Sequence, residues 1–128
     1  MSAAKRVLLA EDDRFLRRAC EQSLRQRGYT VISAPDGEAA LQLARSERPD
    51  LILLDMLMPR MTGLDVLRAL KADAQTREIP VLVLSNSSRE QDIQEVTLLG
   101  VVAYLVKANL SLQELGERVA GILSGTGA

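Results

Sequence analysis

The stretch Pro49-Asp50-Leu51-Ile52-Leu53-Leu54-Asp55-Met56-Leu57-Met58-Pro59 places four consecutive aliphatic residues directly before a carboxylate. Successive side chains of a strand point to opposite faces, so an unbroken apolar run needs both faces covered. Residues 51–54 therefore read as a strand inside a parallel sheet, with Asp55 at its C-terminal end. Four further short apolar runs surround it, at 7–10, 29–33, 81–84 and 103–106. The segments between them carry helical spacing. In 14–27, Phe15, Leu16, Ala19, Cys20, Ser23 and Leu24 share one face, and Arg14, Arg17, Arg18, Glu21 and Arg25 share the other. Gly28 is the expected stop. A second helix is predicted over 38–47, closed by Pro49, and a third from Thr62 or Gly63 to Ala72. Ser87-x-x-Glu90 or Ser88-x-x-Gln91 opens a fourth as a capping box, and Ser111-x-x-Glu114 opens a fifth that ends near Leu123. The tail 124–128 is expected to fray.

Five alternations of strand and helix predict an α/β fold, a five-stranded parallel sheet doubly wound with five helices on its two faces. Periodicity leaves the strand order open. The length of 128 residues fits one domain, 1–128, with its core over about 5–124. A chain of this size buries enough surface to need no staple. Zero His removes Ser-His triads, Cys-His pairs and His-ligated zinc, and one Cys forms no internal disulfide. A net charge of −1 gives no footprint for nucleic acid, so no direct DNA binding is expected. No run approaches a membrane span or the apolar region of a signal peptide. The expectation is a cytoplasmic protein that makes no contact with membranes.

The C-terminal ends of parallel strands share one edge of the sheet, where ligands bind. The first strand runs into Glu11-Asp12-Asp13, the third into Asp55, the fourth into Ser85 and the fifth into Lys107. Each has a plain alternative. An Asp or Ser after a strand is often the cap of the next helix, and at least one of Asp12 and Asp13 is expected to do that. Their coincidence on one edge exceeds what capping requires. Clustered carboxylates favour a divalent cation, and few hard oxygen ligands suit Mg²⁺. A carboxylate is also a nucleophile toward phosphorus, and a nearby Lys and hydroxyl would stabilise phosphoryl oxygens. Neither GxGxxG nor GxxxxGK[ST] is present, so nucleotide binding is not supported.

In order and in spacing, several stretches together resemble the receiver domain of the two-component response-regulator family, over essentially the whole chain. They are residues 7–13, 34–41, 49–59, Met61-Thr62-Gly63-Leu64, 79–85 and the segment from Gly100 to Lys107. The resemblance implies a flavodoxin-like strand order 2-1-3-4-5. It implies that Asp55 is the phosphoacceptor, and that Glu11, Asp12 and Asp55 with the Leu57 carbonyl hold Mg²⁺. It gives Lys107 the role of phosphate-pairing amine, and Ser85 and Tyr104 that of a switch pair whose hydroxyl moves to the phosphoryl group while the ring turns inward. Pro59 and Gly63 would shape the loop after the third strand. The plain alternative for Tyr104 is a packed strand aromatic.

Three departures stand out. Asn86 follows Ser85 where relatives carry a small residue, and would crowd the path to Asp55. Val101-Val102 stand where Ala-Asp is frequent, as core filling or as part of a partner surface. Ala108 follows Lys107 where relatives carry proline. Without proline a cis bond costs roughly 2.5–4 kcal/mol, so this bond is expected to be trans, with Lys107 still directed at Asp55.

The resemblance implies a phosphorylatable receiver in a phosphorelay, charged by a histidine kinase or phosphotransfer protein. Such a protein is not an enzyme in its own right, although it supports its own Mg²⁺-dependent phosphotransfer and slow self-dephosphorylation. No output domain is recognised in the 128 residues, so readout by a separate output protein is expected. Two rivals stand beside this reading: a constitutive docking module with an idle site, and a phosphatase with an aspartyl nucleophile. The phosphatase pattern DxDx[TV] is not met by Asp55-Met56-Leu57-Met58.

Overall fold

A computed structural model describes residues 4–58, 60–87 and 89–125. Pro59 as a loop-shaping residue, Ser88 as a helix cap and the tail beyond Gly125 lie outside the described residues. The chain forms β1 (Arg6–Ala10), α1 (Arg14–Gln26), β2 (Thr30–Ala34), α2 (Gly37–Glu47), β3 (Leu51–Asp55), α3 (Gly63–Ala72), β4 (Val81–Ser85), α4 (Glu90–Leu98), β5 (Ala103–Val106) and α5 (Leu112–Leu123). A 3-10 turn, Lys107–Asn109, separates β5 from α5.

All strand pairs are parallel, in the order β2-β1-β3-β4-β5. The period of two sorts each strand between two cores. Leu8, Ala10, Ile52, Leu54, Val81 and Val83 meet residues of α2, α3 and α4, among them Ala40, Leu67 and Val96. Val7, Leu9, Leu51, Leu53, Leu82 and Leu84 meet α1 and α5 through Cys20, Leu24, Leu115 and Val119. Every residue of β3 and β4 is buried, as an apolar run covered on both faces demands.

The helix caps follow local chemistry. Asp13 accepts hydrogen bonds from the Phe15 and Leu16 amides, Asp36 from Ala39, Thr62 from Asp65 and Ser111 from Glu114. Gly28 ends the α1 region with a φ of +98°, which a side chain would resist. The fourth helix departs from expectation. Its N-cap is Arg89, with no side-chain cap, and the Ser87 capping box does not form. The Ser87 hydroxyl instead accepts from the Arg89 amide at 3.2 Å and donates to Asp92 at 2.5 Å. That bonding holds the turn before the helix and delays its start to Glu90.

β3 and β4 each run one residue further than expected, so Asp55 and Ser85 belong to the ladder, paired with Leu84 and Val106. The two apolar departures divide: Val101 packs on the core, while Val102 stays half exposed. No helix among the described residues is long and apolar enough to cross a membrane.

Candidate phosphoacceptor and metal site

Strand order puts the ends of β1 and β3 side by side, with β4 and β5 following. Glu11 leaves β1 fully buried, and Asp55 ends β3 almost fully buried. Asp12, next along, is exposed. Carboxylate oxygens of Glu11, Asp12 and Asp55 lie within 4.8 Å of one another. Lys107, at the end of β5, reaches across the edge. Its Nζ lies 2.8 Å from Glu11 Oε1 and 3.1 Å from Asp55 Oδ1. The Lys107–Ala108 bond is trans, as no described peptide bond is cis. The amine thus reaches Asp55 from a 3-10 turn without proline.

The backbone frames these groups. The Leu57 amide donates to Asp55 Oδ1 at 3.2 Å and the Asp13 amide to Glu11 Oε2 at 3.0 Å. Asp13 is occupied as the α1 cap, apart from the cluster of three acids. Gly63 closes the loop after β3, its amide donating to the Met56 carbonyl at 3.1 Å. A Cβ at this position would sit 2.4 Å from the Asp55 carbonyl oxygen, so only glycine lets α3 start this close to the acid.

Electrostatics follow from burial and crowding. Burial pushes the Asp55 carboxyl up from 3.8 to about 7, helped by a hydrogen bond with Glu11 and by the Glu11 charge. The Leu57 amide and Lys107 pull the other way without winning. Burial alone would lower the Lys107 amine, but Glu11 and Asp55 outweigh it and raise it above its ordinary value. Glu11 Oε1 touches the ammonium yet has no aligned hydrogen bond of its own. A buried carboxylate oxygen left in that condition, within a cluster of hard oxygen donors, is suited to a divalent cation.

The Ser85 hydroxyl, buried at the end of β4, accepts from the Ser87 amide at 3.1 Å. The Tyr104 hydroxyl donates to the Ser87 carbonyl at 2.9 Å, and its ring packs on the core. Ser85 and Tyr104 therefore meet at one residue, Ser87, for which the sequence suggests only a helix cap. Beside them lies a cavity of about 390 Å³, lined by Met56, Leu57, Ser85, Asn86, Val96 and Tyr104 among others. Asn86 is exposed on its wall.

Helical spacing puts Arg17 on the solvent face. In the structure it is half-buried, and its Nη1 donates to the Glu11 carbonyl at 2.8 Å. Spacing tracks where a Cβ points, so it does not show that a long side chain turns back toward the preceding strand.

The fold and this edge define a class, and comparison with known proteins gives the same one. The family model for the response regulator receiver domain matches residues 7–120, and the chain belongs to that family. The response regulator MprA of Mycolicibacterium vanbaalenii is 39% identical over 123 residues, covering 94% of this chain and 51% of its own length. The chain thus spans about half the length of the curated relatives it matches. The chemotaxis protein CheY4 of Vibrio cholerae superposes with a TM-score of 0.86 at 30% identity, over 94% of this chain and 99% of that one. The receiver domain of a signal transduction histidine kinase from Syntrophus aciditrophicus gives 0.86 at 30% identity, over 95% and 92%. The chain is a receiver domain of two-component signalling with the 2-1-3-4-5 sheet expected of that family.

Proposed function

We propose that this receiver accepts a phosphoryl group on Asp55 from the phosphohistidine of a histidine kinase or phosphotransfer protein, and passes the signal to a partner by a conformational switch. In the transfer an Asp55 carboxylate oxygen bonds to phosphorus as the histidine N–P bond breaks, and the electron pair leaves with the imidazole. Lys107 pairs with the incoming oxygens, exchanging its contact with Asp55 for one with the phosphoryl group. Glu11 and Asp12, with Asp55 and the Leu57 carbonyl, are the groups that would hold Mg²⁺. When bound, the ion neutralises charge on the transferring group. Ser85 and Tyr104 are the switch pair of this reading, because both are tied to Ser87 and line one cavity. The protein acts as a phosphoacceptor rather than as an enzyme on a separate substrate.

One observation carries the proposal: a single ammonium lies 2.8 Å from Glu11 and 3.1 Å from Asp55 in a nearly dry site. Buried ionic groups cost desolvation, and apolar replacements are often as stable or more so. A module that only docks would gain nothing from holding them. Intact mass spectrometry after treatment with acetyl phosphate and Mg²⁺ tests the reading. One added phosphoryl group on the wild type and none on Asp55→Asn is expected. Equal labelling of both would place the phosphate elsewhere.

A further inference from the structure

We propose that Arg17 is a positioning residue for the metal site, holding the main chain of the Glu11-Asp12 turn so that both carboxylates face Asp55. The inference rests on reading the acidic cluster as a divalent-cation site. Arg17 lies four residues after the Asp13 cap, one turn into α1. Its Nη1 donates to the Glu11 carbonyl at 2.8 Å and lies 3.5 Å from the Asp12 carbonyl. Both carbonyls are drawn toward the helix, while oxygens of the two side chains lie within 4.8 Å of the Asp55 carboxylate.

Glu11 has other restraints. Its carboxylate is fully buried, ion-paired with Lys107 and hydrogen-bonded by the Asp13 amide. Asp12 has none of these. It is exposed, and among the described residues no hydrogen bond to its carboxylate is found. Where that carboxylate sits depends on its backbone, and the guanidinium is the side chain that grips the backbone there. Groups behind metal ligands act in this way, by fixing ligand orientation before the ion arrives.

Charge alone predicts the opposite effect. A guanidinium beside a cation site repels the cation, so removing it would tighten binding if Arg17 acted only through its charge. The sign of the change therefore separates the two roles.

The test is calorimetric titration of Mg²⁺ into the wild type, Arg17→Met, Arg17→Lys and Gln22→Gly. Gln22 is exposed on α1 away from the turn, and its replacement loosens the helix without removing the grip. Arg17→Met is expected to bind Mg²⁺ about ten- to a hundredfold more weakly. Arg17→Lys, which keeps one donor for the Glu11 carbonyl, should fall between Met and wild type. It also carries the test if the Met variant does not fold. Gln22→Gly should match the wild type. Unchanged or tighter binding by both Arg17 variants overturns the proposal, as does an equal loss in Gln22→Gly. A wild type that binds no Mg²⁺ removes the metal site itself and the proposal with it, a result distinct from failure of the variants alone.

Discussion

Replacing Asp55 with Asn should change how stability depends on pH, and the size of the change follows from the site. In the metal-free protein burial and Glu11 push the Asp55 carboxyl from 3.8 to about 7. A carboxyl raised on folding binds more protons in the native state, so its contribution is full below the unfolded value and is lost as pH rises through the folded one. At pH 5 the native carboxyl is still mostly protonated and the unfolded one is not. Two pH units below the native value correspond to about 3 kcal/mol of stability. At pH 8 almost none of it remains. The asparagine variant has no proton to gain or lose at this position. Urea unfolding in EDTA, followed by far-UV circular dichroism at pH 5 and pH 8, measures the difference. As pH rises from 5 to 8, the stability of Asp55→Asn relative to the wild type should increase by about 3 kcal/mol. That corresponds to a relative midpoint shift on the order of 1–2 M urea. A difference that stays constant would mean that Asp55 titrates at or below its ordinary value, with Lys107 offsetting burial, and would refute the reasoning.

Mg²⁺ at a hundred times its dissociation constant should stabilise the wild type by about 2.7 kcal/mol, and Asp12→Ala should abolish that gain in thermal melts. Lys107→Met strands two buried carboxylates at pH 8 and should cost about 3 kcal/mol in urea unfolding. The loss should shrink at pH 5, where Asp55 can take up a proton. Asp13→Ala removes the cap shared by the Phe15 and Leu16 amides and should cost about 1 kcal/mol, read from the urea midpoint. Asn86→Ala opens the cavity wall beside Ser85, and should speed phosphorylation by acetyl phosphate in a timed mass-spectrometric assay.

The residues legible in the chain are those whose position on a strand or helix decides where they point. Asp55, Ser85 and Lys107 end apolar runs, and parallel strands bring such ends together whatever the details of packing. The order of the strands is another matter. Periodicity does not contain it, and it enters through family resemblance. The start of α4 is hard to read because Ser87 and Ser88 offer adjacent candidates, and the Ser87 hydroxyl serves Arg89 and Asp92 rather than a capping box. Arg17 escapes for a different reason. Its Cβ obeys the helical period, but its guanidinium sits where a flexible stem and two nearby carbonyls allow. Tertiary hydrogen bonds of this kind leave no periodic trace.

The packing of Cys20 has a practical consequence. It is the chain's one cysteine, and it is sealed between α1 and the sheet. Burial, with the nearby Glu11 charge, raises its thiol from 9.0 to about 11. In the closed protein the group that reacts with alkylating reagents is therefore both hidden and protonated. Labelling must wait until α1 lifts from the sheet or the whole domain opens. Where reclosing outpaces alkylation, the labelling rate divided by that of a free thiol gives the population of open molecules. The native chain thus carries its own clock for the breathing of the helix that begins at the acidic turn, with no engineered probe required.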